Sequence, residues 1–333
     1  MNIAVFSTKS YDKTYFEKYN SNGAHQITYF EDYLNSKTTN LTLGGFNAVC
    51  IFVNDNLDKT AITKLAANGI KLIALRCAGF NNVDLQSAAD NNIKVVRVPA
   101  YSPEAVAEQA VALIMTLNRK THKAYNRIRE GNFSLEKLTG FNLFNKTVGV
   151  IGTGRIGEAF SKIMLGFGCD VVAYDLYENK NLIEKGVKYT SFDKLIAASD
   201  IISLHCPLTP ETHYLINKDT ISKMKKGVML INTSRGGLIN SQDAIDALKN
   251  KQLGYLGIDV YEQEENLFYK DLSEKIIQDE LILRLISFPN VLITSHQGFL
   301  TNEALEEIAR VTIQNITDFE KNVTIDNEVS VNK

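Results

Sequence analysis

The chain has 333 residues, 44% of them hydrophobic, with 5 prolines and a formal charge of −2 from 36 basic and 38 acidic side chains. Such a length points to two domains, and the composition is globular, neither fibrous nor disordered. The balanced charge, with no block of lysine or arginine, argues against a nucleic-acid surface. The longest apolar stretch of note, Ala110 to Met115, falls far short of the roughly 20 residues of a membrane span.

Met1 to Phe6 begins directly as a strand, without a basic region or a small-residue cleavage site, so no secretory signal is read. Cys50, Cys77, Cys169 and Cys206 stand singly with no CxxC spacing, which predicts buried thiols in a reducing cytoplasm and no metal site. Short β-rich apolar runs alternate with amphipathic stretches from end to end, the pattern of α/β domains with parallel sheets. The first hundred residues predict strands near Ile3–Ser7, Ile27–Phe30, Ala48–Val53, Lys71–Cys77 and Lys94–Val98. Helices fit between them at Tyr11–Tyr19, Lys59–Asn68 and Val83–Asn91. Ser102 is a good N-cap and Pro103 a good first helical residue, so a long helix is expected to about Arg119. A second series follows: strand Thr147–Ile151, helix 155–167, strands Asp170–Tyr174, Ile201–His205 and Val228–Asn232, a helix opened by Ser241, and strands Gly254–Asp259 and Val291–Thr294. Glu262–Leu272, rich in acidic and aromatic residues, reads as a surface loop. The amphipathic stretch Asn302–Glu320 reads as a helix that returns to the first domain, because the second sheet is already complete. The expectation is a discontinuous domain of residues 1–100 and 299–333, interrupted by one of residues 101–298.

Val148-Gly149-Val150-Ile151 leads into Gly152-Thr153-Gly154-Arg155-Ile156-Gly157 and then an apolar-periodic helix. Glycines there let the backbone turn tightly and approach a pyrophosphate, and the helix N-terminus offers free N–H groups and a partial positive charge. Asp175 ends the next strand, 18 residues past Gly157, close to the ~20 expected of a carboxylate on the adenosine ribose. The same carboxylate repels the 2′-phosphate of NADP, at about 4 kcal/mol for a like-charge pair ~4 Å apart, and Leu176-Tyr177 offer no arginine. NAD is the expected cofactor.

Three segments end predicted strands where an open α/β sheet places its ligands. Asn232-Thr233-Ser234-Arg235-Gly236 presents an arginine whose fork suits a carboxylate; an exposed loop arginine is the plainer alternative. Asp259-Val260-Tyr261-Glu262-Gln263-Glu264-Glu265 is acidic. His296 directly follows an apolar strand, and taken alone it is as ordinary as a core or surface histidine. Together, arginine, histidine and NADH supply what reduction of a 2-oxo acid requires: a cation for the carboxylate, a proton for the carbonyl oxygen and a hydride.

These motifs, with Ala74 to Asp84, Ser203 to Thr209 and His296 to Thr301, resemble the D-isomer-specific 2-hydroxyacid dehydrogenase family along the whole chain. Within the family the chain is similar to the fermentative D-lactate dehydrogenases of bacteria. The resemblance implies a Rossmann NAD-binding domain inserted into a flavodoxin-like substrate domain, both doubly wound. It implies that Arg235 orients substrate, that Glu264 pairs with the imidazole and that His296 is the acid/base; the family pattern Asp-Val-Tyr-Glu-x-Glu selects Glu264 among its acidic neighbours. Amides around Cys77, Ala78 and Gly79 would bind the substrate carboxylate, and Tyr101 and Phe299 would wall the cavity, with Phe52 bearing on substrate size. Gly152, Gly154, Arg155, Ile156, Gly157, Asp175, Cys206, Pro207, Thr212, Thr233, Ser234, Arg235 and Asp259 would line NAD. Alternatives are another D-2-hydroxy acid, such as 2-hydroxyisocaproate or glycerate, and an NAD-sensing binding protein on the same scaffold. The helix Pro103–Arg119 carries Val106, Ala110, Val111, Leu113, Ile114 and Leu117 around much of its circumference, which predicts a homodimer or homotetramer.

Overall fold

The computed structural model describes residues 1–331, and of Asn266 the main chain alone. The chain divides into two compact units: Met1–Ser102 with the chain from Phe299 onward, and Pro103–Gly298. Tyr101 and Ser102, expected in the second domain, fall with the first, because the boundary lies where the helix Pro103–Arg119 begins. Asn332 and Lys333, counted in the predicted first domain, lie outside the described residues.

In the first unit, β1 (Asn2–Val5), β2 (Gln26–Tyr29), β3 (Ala48–Ile51), β4 (Leu72–Leu75) and β5 (Lys94–Arg97) are parallel in the order β5-β4-β3-β1-β2. This is the flavodoxin order. All residues of β3 and β4 are buried, as in strands covered on both faces, whereas the edge strand β2 alternates half-buried and exposed. The helix Asn302–Glu320 packs on the helix Ser10–Tyr19 and on β4 and β5. Its Ala309, Ile313 and Ile316 share one core with Ile3, Val5, Phe16, Cys50, Leu72 and Ala74. One departure from a wholly parallel sheet is the strand Glu328–Val329, which pairs antiparallel with β5.

The second unit holds β6 (Thr147–Ile151), β7 (Asp170–Tyr174), β8 (Lys188–Tyr189), β9 (Ile201–Leu204), β10 (Val228–Asn232), β11 (Leu253–Ile258) and β12 (Val291–Ile293). All are parallel, in the order β12-β11-β10-β9-β6-β7-β8, the Rossmann arrangement with one further edge strand. Strand order reverses between β6 and β9, and that switch point is where such sheets bind ligands. The helix Pro103–Arg119 is covered inside this unit: Ala107, Ala110, Leu113, Ile114 and Leu117 join the core with β6, β10 and the helix Arg155–Gly166. The apolar circumference that pointed to an oligomer is therefore largely satisfied within one chain. Exposed apolar side chains lie instead on and after the next helix, Thr121–Arg129, which has no buried residue. Among the described residues no helix is long and apolar enough to cross a membrane.

Candidate active site

At the switch point the chain turns through Gly152-Thr153-Gly154 into the helix Arg155–Gly166. Gly152 has φ +92°, and a Cβ there would stand 2.6 Å from Cys206 N, so the turn packs main chain to main chain on the end of β9. A Cβ on Gly157 would overlap the carbonyl oxygen of Gly152, which is why only glycine lets this helix start so close to the turn. At Gly154, the N-cap, nothing beyond the adjoining residues lies within 4 Å of a built Cβ, and no side chain caps the first N–H groups of the helix. Asp175 follows β7, and its carboxylate accepts from Thr153 N (2.5 Å), Thr153 Oγ1 (3.1 Å) and Tyr177 N (3.2 Å). The carboxylate is thus anchored beside the glycine turn.

Cys206 and Pro207 leave β9 in a loop closed by Thr212, whose hydroxyl donates to Pro207 O (2.7 Å) and accepts from Thr209 N (2.7 Å). Burial pushes the Cys206 thiol up to about 11, so it stays protonated. Burial pushes His205 down to about 3; its Nε2 meets Ser203 Oγ at 2.9 Å, and it remains a neutral ring under the turn. After β10, Ser234 Oγ donates to Leu204 O (2.9 Å), while Thr233 Oγ1 is buried with no protein partner among the described residues. An open helix N-terminus, an anchored carboxylate, an unsatisfied hydroxyl and a neutral lining fit NAD.

Beyond β12 the chain runs to His296, whose φ of +50° is left-handed. For a residue other than glycine that conformation costs of order 1–2 kcal/mol, so the surroundings must hold it. His296 N donates to Asp259 O (2.7 Å), and the Tyr269 hydroxyl donates to His296 O (3.1 Å). The Asp259 carboxylate, 1% exposed, accepts from Gln297 N (2.9 Å), Gly298 N (2.8 Å) and the Thr294 hydroxyl. Burial pushes this carboxyl above the usual carboxylate range, and those donors act against that rise. Asp259, expected in the cofactor lining, also braces the turn that carries His296 through both of its oxygens.

His296 Nδ1 lies 2.7 Å from Glu264 Oε1, and Glu264 Oε2 accepts from Tyr261 N (2.9 Å). The neighbouring glutamates are engaged or exposed. Glu262 accepts from the Tyr214 hydroxyl (2.6 Å) and Ser241 N (3.2 Å), and the Glu265 side chain is exposed. The Tyr261 hydroxyl donates to Asp279 (2.9 Å), which caps the helix Glu280–Ser287. A chain of contacts therefore runs from that helix cap to the imidazole. Arg235 is half-buried and donates from Nη1 to Ser234 O (2.7 Å), bonding to neither Glu264 nor His296. Its loop is nevertheless packed on the acidic one: a Cβ on Gly236 would overlap the main chain of Tyr261 and Glu262. Neither Tyr269 nor Asp279 carried a signal in the sequence.

In the first unit, Cys77-Ala78-Gly79 leaves β4. The Cys77 thiol donates to Gly79 O (3.3 Å), and the Arg97 guanidinium donates to Ala78 O (2.7 Å). Phe52 and Phe299 come together with ring centroids 5.2 Å apart, and Phe299 meets Tyr11 edge-on at 6.4 Å. Tyr101 is half-buried near the end of this unit's first segment.

The profile of the D-isomer specific 2-hydroxyacid dehydrogenase NAD binding domain matches residues 111–298. A D-lactate dehydrogenase of Escherichia coli (strain K12) is 52% identical, over 99% of this chain and 100% of the relative. Among solved structures, the apo D-lactate dehydrogenase from Escherichia coli superposes with a TM-score of 0.91 at 50% identity, covering 99% of this chain and 100% of that one. The pyruvate reductase of Chlamydomonas reinhardtii gives a TM-score of 0.93 at 46% identity, covering 98% of each chain.

Proposed function

The chain belongs to the D-isomer specific 2-hydroxyacid dehydrogenases and is an NAD-dependent oxidoreductase, and from that premise we propose that it interconverts pyruvate and D-lactate in the cytoplasm. The observation that carries the chemistry is the 2.7 Å contact between Glu264 and His296. NADH, when bound, supplies the hydride that adds to the carbonyl carbon. The proton comes from His296. Because Nδ1 faces Glu264, Nε2 is the nitrogen left to donate to the carbonyl oxygen. After the transfer, the neutral ring keeps its Nδ1 proton and the same hydrogen bond, so it need not turn. Arg235 holds the substrate carboxylate through its planar fork, and the amides of Cys77, Ala78 and Gly79 bind that carboxylate too. Phe52, Tyr101 and Phe299 wall the methyl side. The D-lactate dehydrogenase and pyruvate reductase among the relatives support this substrate.

The test is steady-state kinetics with NADH across a panel of 2-oxo acids, with chiral analysis of the product. Pyruvate is expected to be preferred over 2-oxoisocaproate, and the product to be D-lactate. Phe52→Leu opens space and should move the preference toward the branched acid by roughly 10-fold or more. Equal kcat/KM for the two acids in the wild type would sink the lactate assignment while leaving the dehydrogenase standing.

The assembly we infer is a homodimer, alone or paired into a tetramer. Tyr125, Ile128, Phe133 and Leu135 are 61%, 54%, 75% and 81% exposed on and just after one helix, and a two-fold contact between copies covers such a surface. Light scattering at micromolar concentration should give at least twice the 37.2 kDa of one chain. A single-chain mass refutes the assembly.

A further inference from the structure

Arg76, the residue after β4, is a large charged side chain only 1% exposed. Its Nε donates to Asp12 Oδ1 (3.2 Å) and its Nη2 to Ser7 O (2.9 Å), while Nη1 is buried with no protein partner among the described residues. The guanidinium carbon stands 4.9 Å from the centroid of the Phe52 ring. The main chain of Phe52 is held as well. Its N–H donates to Asp55 Oδ2 (2.6 Å), and Asn82 Nδ2 donates to Phe52 O (2.9 Å). Asp55, 1% exposed, also accepts from Ser7 Oγ (2.7 Å) and Leu34 N (2.7 Å).

A guanidinium withdrawn from water this completely, with the whole Nη1 amino group unsatisfied, is a poor device for stability, because an apolar side chain of similar size would avoid the desolvation. A guanidinium over an aromatic ring makes a contact that an apolar side chain cannot reproduce, and the planar group with its several fixed donors holds that position while tethered elsewhere, which a flexible ammonium does less well. We propose that Arg76 is a specificity-determining positioning residue: its guanidinium, tethered by Asp12, fixes the Phe52 ring against Phe299 and so sets the size of 2-oxo acid accepted. Arg76 does not touch substrate. Asp55 and Asn82 set where the Phe52 backbone lies, and Arg76 sets where its ring lies. The inference rests on the reading of Phe52 as a pocket wall.

The experiment compares kcat/KM for pyruvate and 2-oxoisocaproate in the wild type, Phe52→Leu, Arg76→Lys and the double variant Phe52→Leu/Arg76→Lys. Lysine keeps a cation for Asp12 and loses the plane. Arg76→Lys should shift the preference toward 2-oxoisocaproate by roughly fivefold or more, raising KM for pyruvate more than it lowers kcat and leaving KM for NADH unchanged. In the double variant the two shifts should fall short of additive, because both act through one ring. Asp12→Asn, which loosens the tether and keeps the guanidinium, should shift the preference the same way by a smaller factor, and it decides the matter if Arg76→Lys does not fold. An unchanged preference in the folded variants, beside a clear shift in Phe52→Leu, overturns the role of Arg76. No shift in Phe52→Leu overturns the pocket-wall reading beneath it.

Discussion

Replacing His296 with glutamine is expected to lower kcat for pyruvate reduction by about 10²–10⁴-fold while NADH still binds. Glutamine fills similar space and can hydrogen-bond, but it cannot hand over a proton, so the loss isolates proton transfer. Most residues assigned to the cofactor, the glycine turn Gly152 to Gly157 and Asp175 among them, are left unchanged by the substitution, and NADH fluorescence titration should give a Kd near that of the wild type. His205 cannot substitute. Burial holds it down to about 3, so it is neutral from pH 5 upward and contributes no limb to a pH–rate profile in that range. Glu264→Gln gives the complementary result. The carboxylate 2.7 Å from Nδ1 fixes the orientation of the ring, and the uncharged amide in its place should lower kcat for pyruvate reduction by about 10-fold or more while KM for NADH stays near the wild-type value. An unchanged kcat in Glu264→Gln would remove the glutamate from the mechanism.

Arg235→Lys is the second large effect expected: kcat/KM for pyruvate should fall by about 10–100-fold, the worth of one charge-assisted hydrogen bond. Lysine retains the positive charge and loses the two parallel donors, so both binding and turnover should suffer. In the structure one donor of Arg235 already meets Ser234 O and anchors the side chain to its own loop. An ammonium on a flexible stem lacks that anchor as well. Wild-type kinetics in Arg235→Lys would show an ordinary loop arginine. The fold should be unaffected, because the loop is fixed by Asn232 Nδ2 on Arg235 O (2.9 Å) and by the contact at Gly236, neither of which uses the guanidinium.

The long elements were legible because burial writes itself into the sequence. β3, β4, β9 and β10 are apolar runs of residues buried on both faces, and the helices Pro103–Arg119 and Asn302–Glu320 carry clear periodicity. What escaped notice was short or exposed. β8 and Glu328–Val329 are two residues each, too brief for any period, and Lys180–Glu184, Phe192–Ala198, Lys218–Ser222 and Glu280–Ser287 are helices of eight residues or fewer. Thr121–Arg129 buries nothing and so has no core-facing pattern. At the site, the motifs placed His296 and Asp175 at strand ends. The local chemistry alone left Glu262, Glu264 and Glu265 equivalent, because a turn of the chain decides which carboxylate meets the imidazole. The bracing of the His296 turn by Asp259 and the tether of Arg76 to Asp12 were hidden for a related reason: both contacts reach residues far along the chain, which no local spacing marks.

The core of the first unit is assembled from segments some three hundred residues apart, with Ile3 and Val5 from β1 meeting Ala309, Ile313 and Ile316. During synthesis the ribosome delivers β1 to β5, then the whole of Pro103–Gly298, and only afterward the helix that covers the waiting sheet. The continuous second unit can close as it emerges, while the nascent first sheet keeps an apolar face bare until residues 302–320 have followed it. That interval is when chaperones or aggregation can claim the chain. Ribosomes stalled before Ile313 would release a protein with a Rossmann unit able to fold and a partner unit unable to.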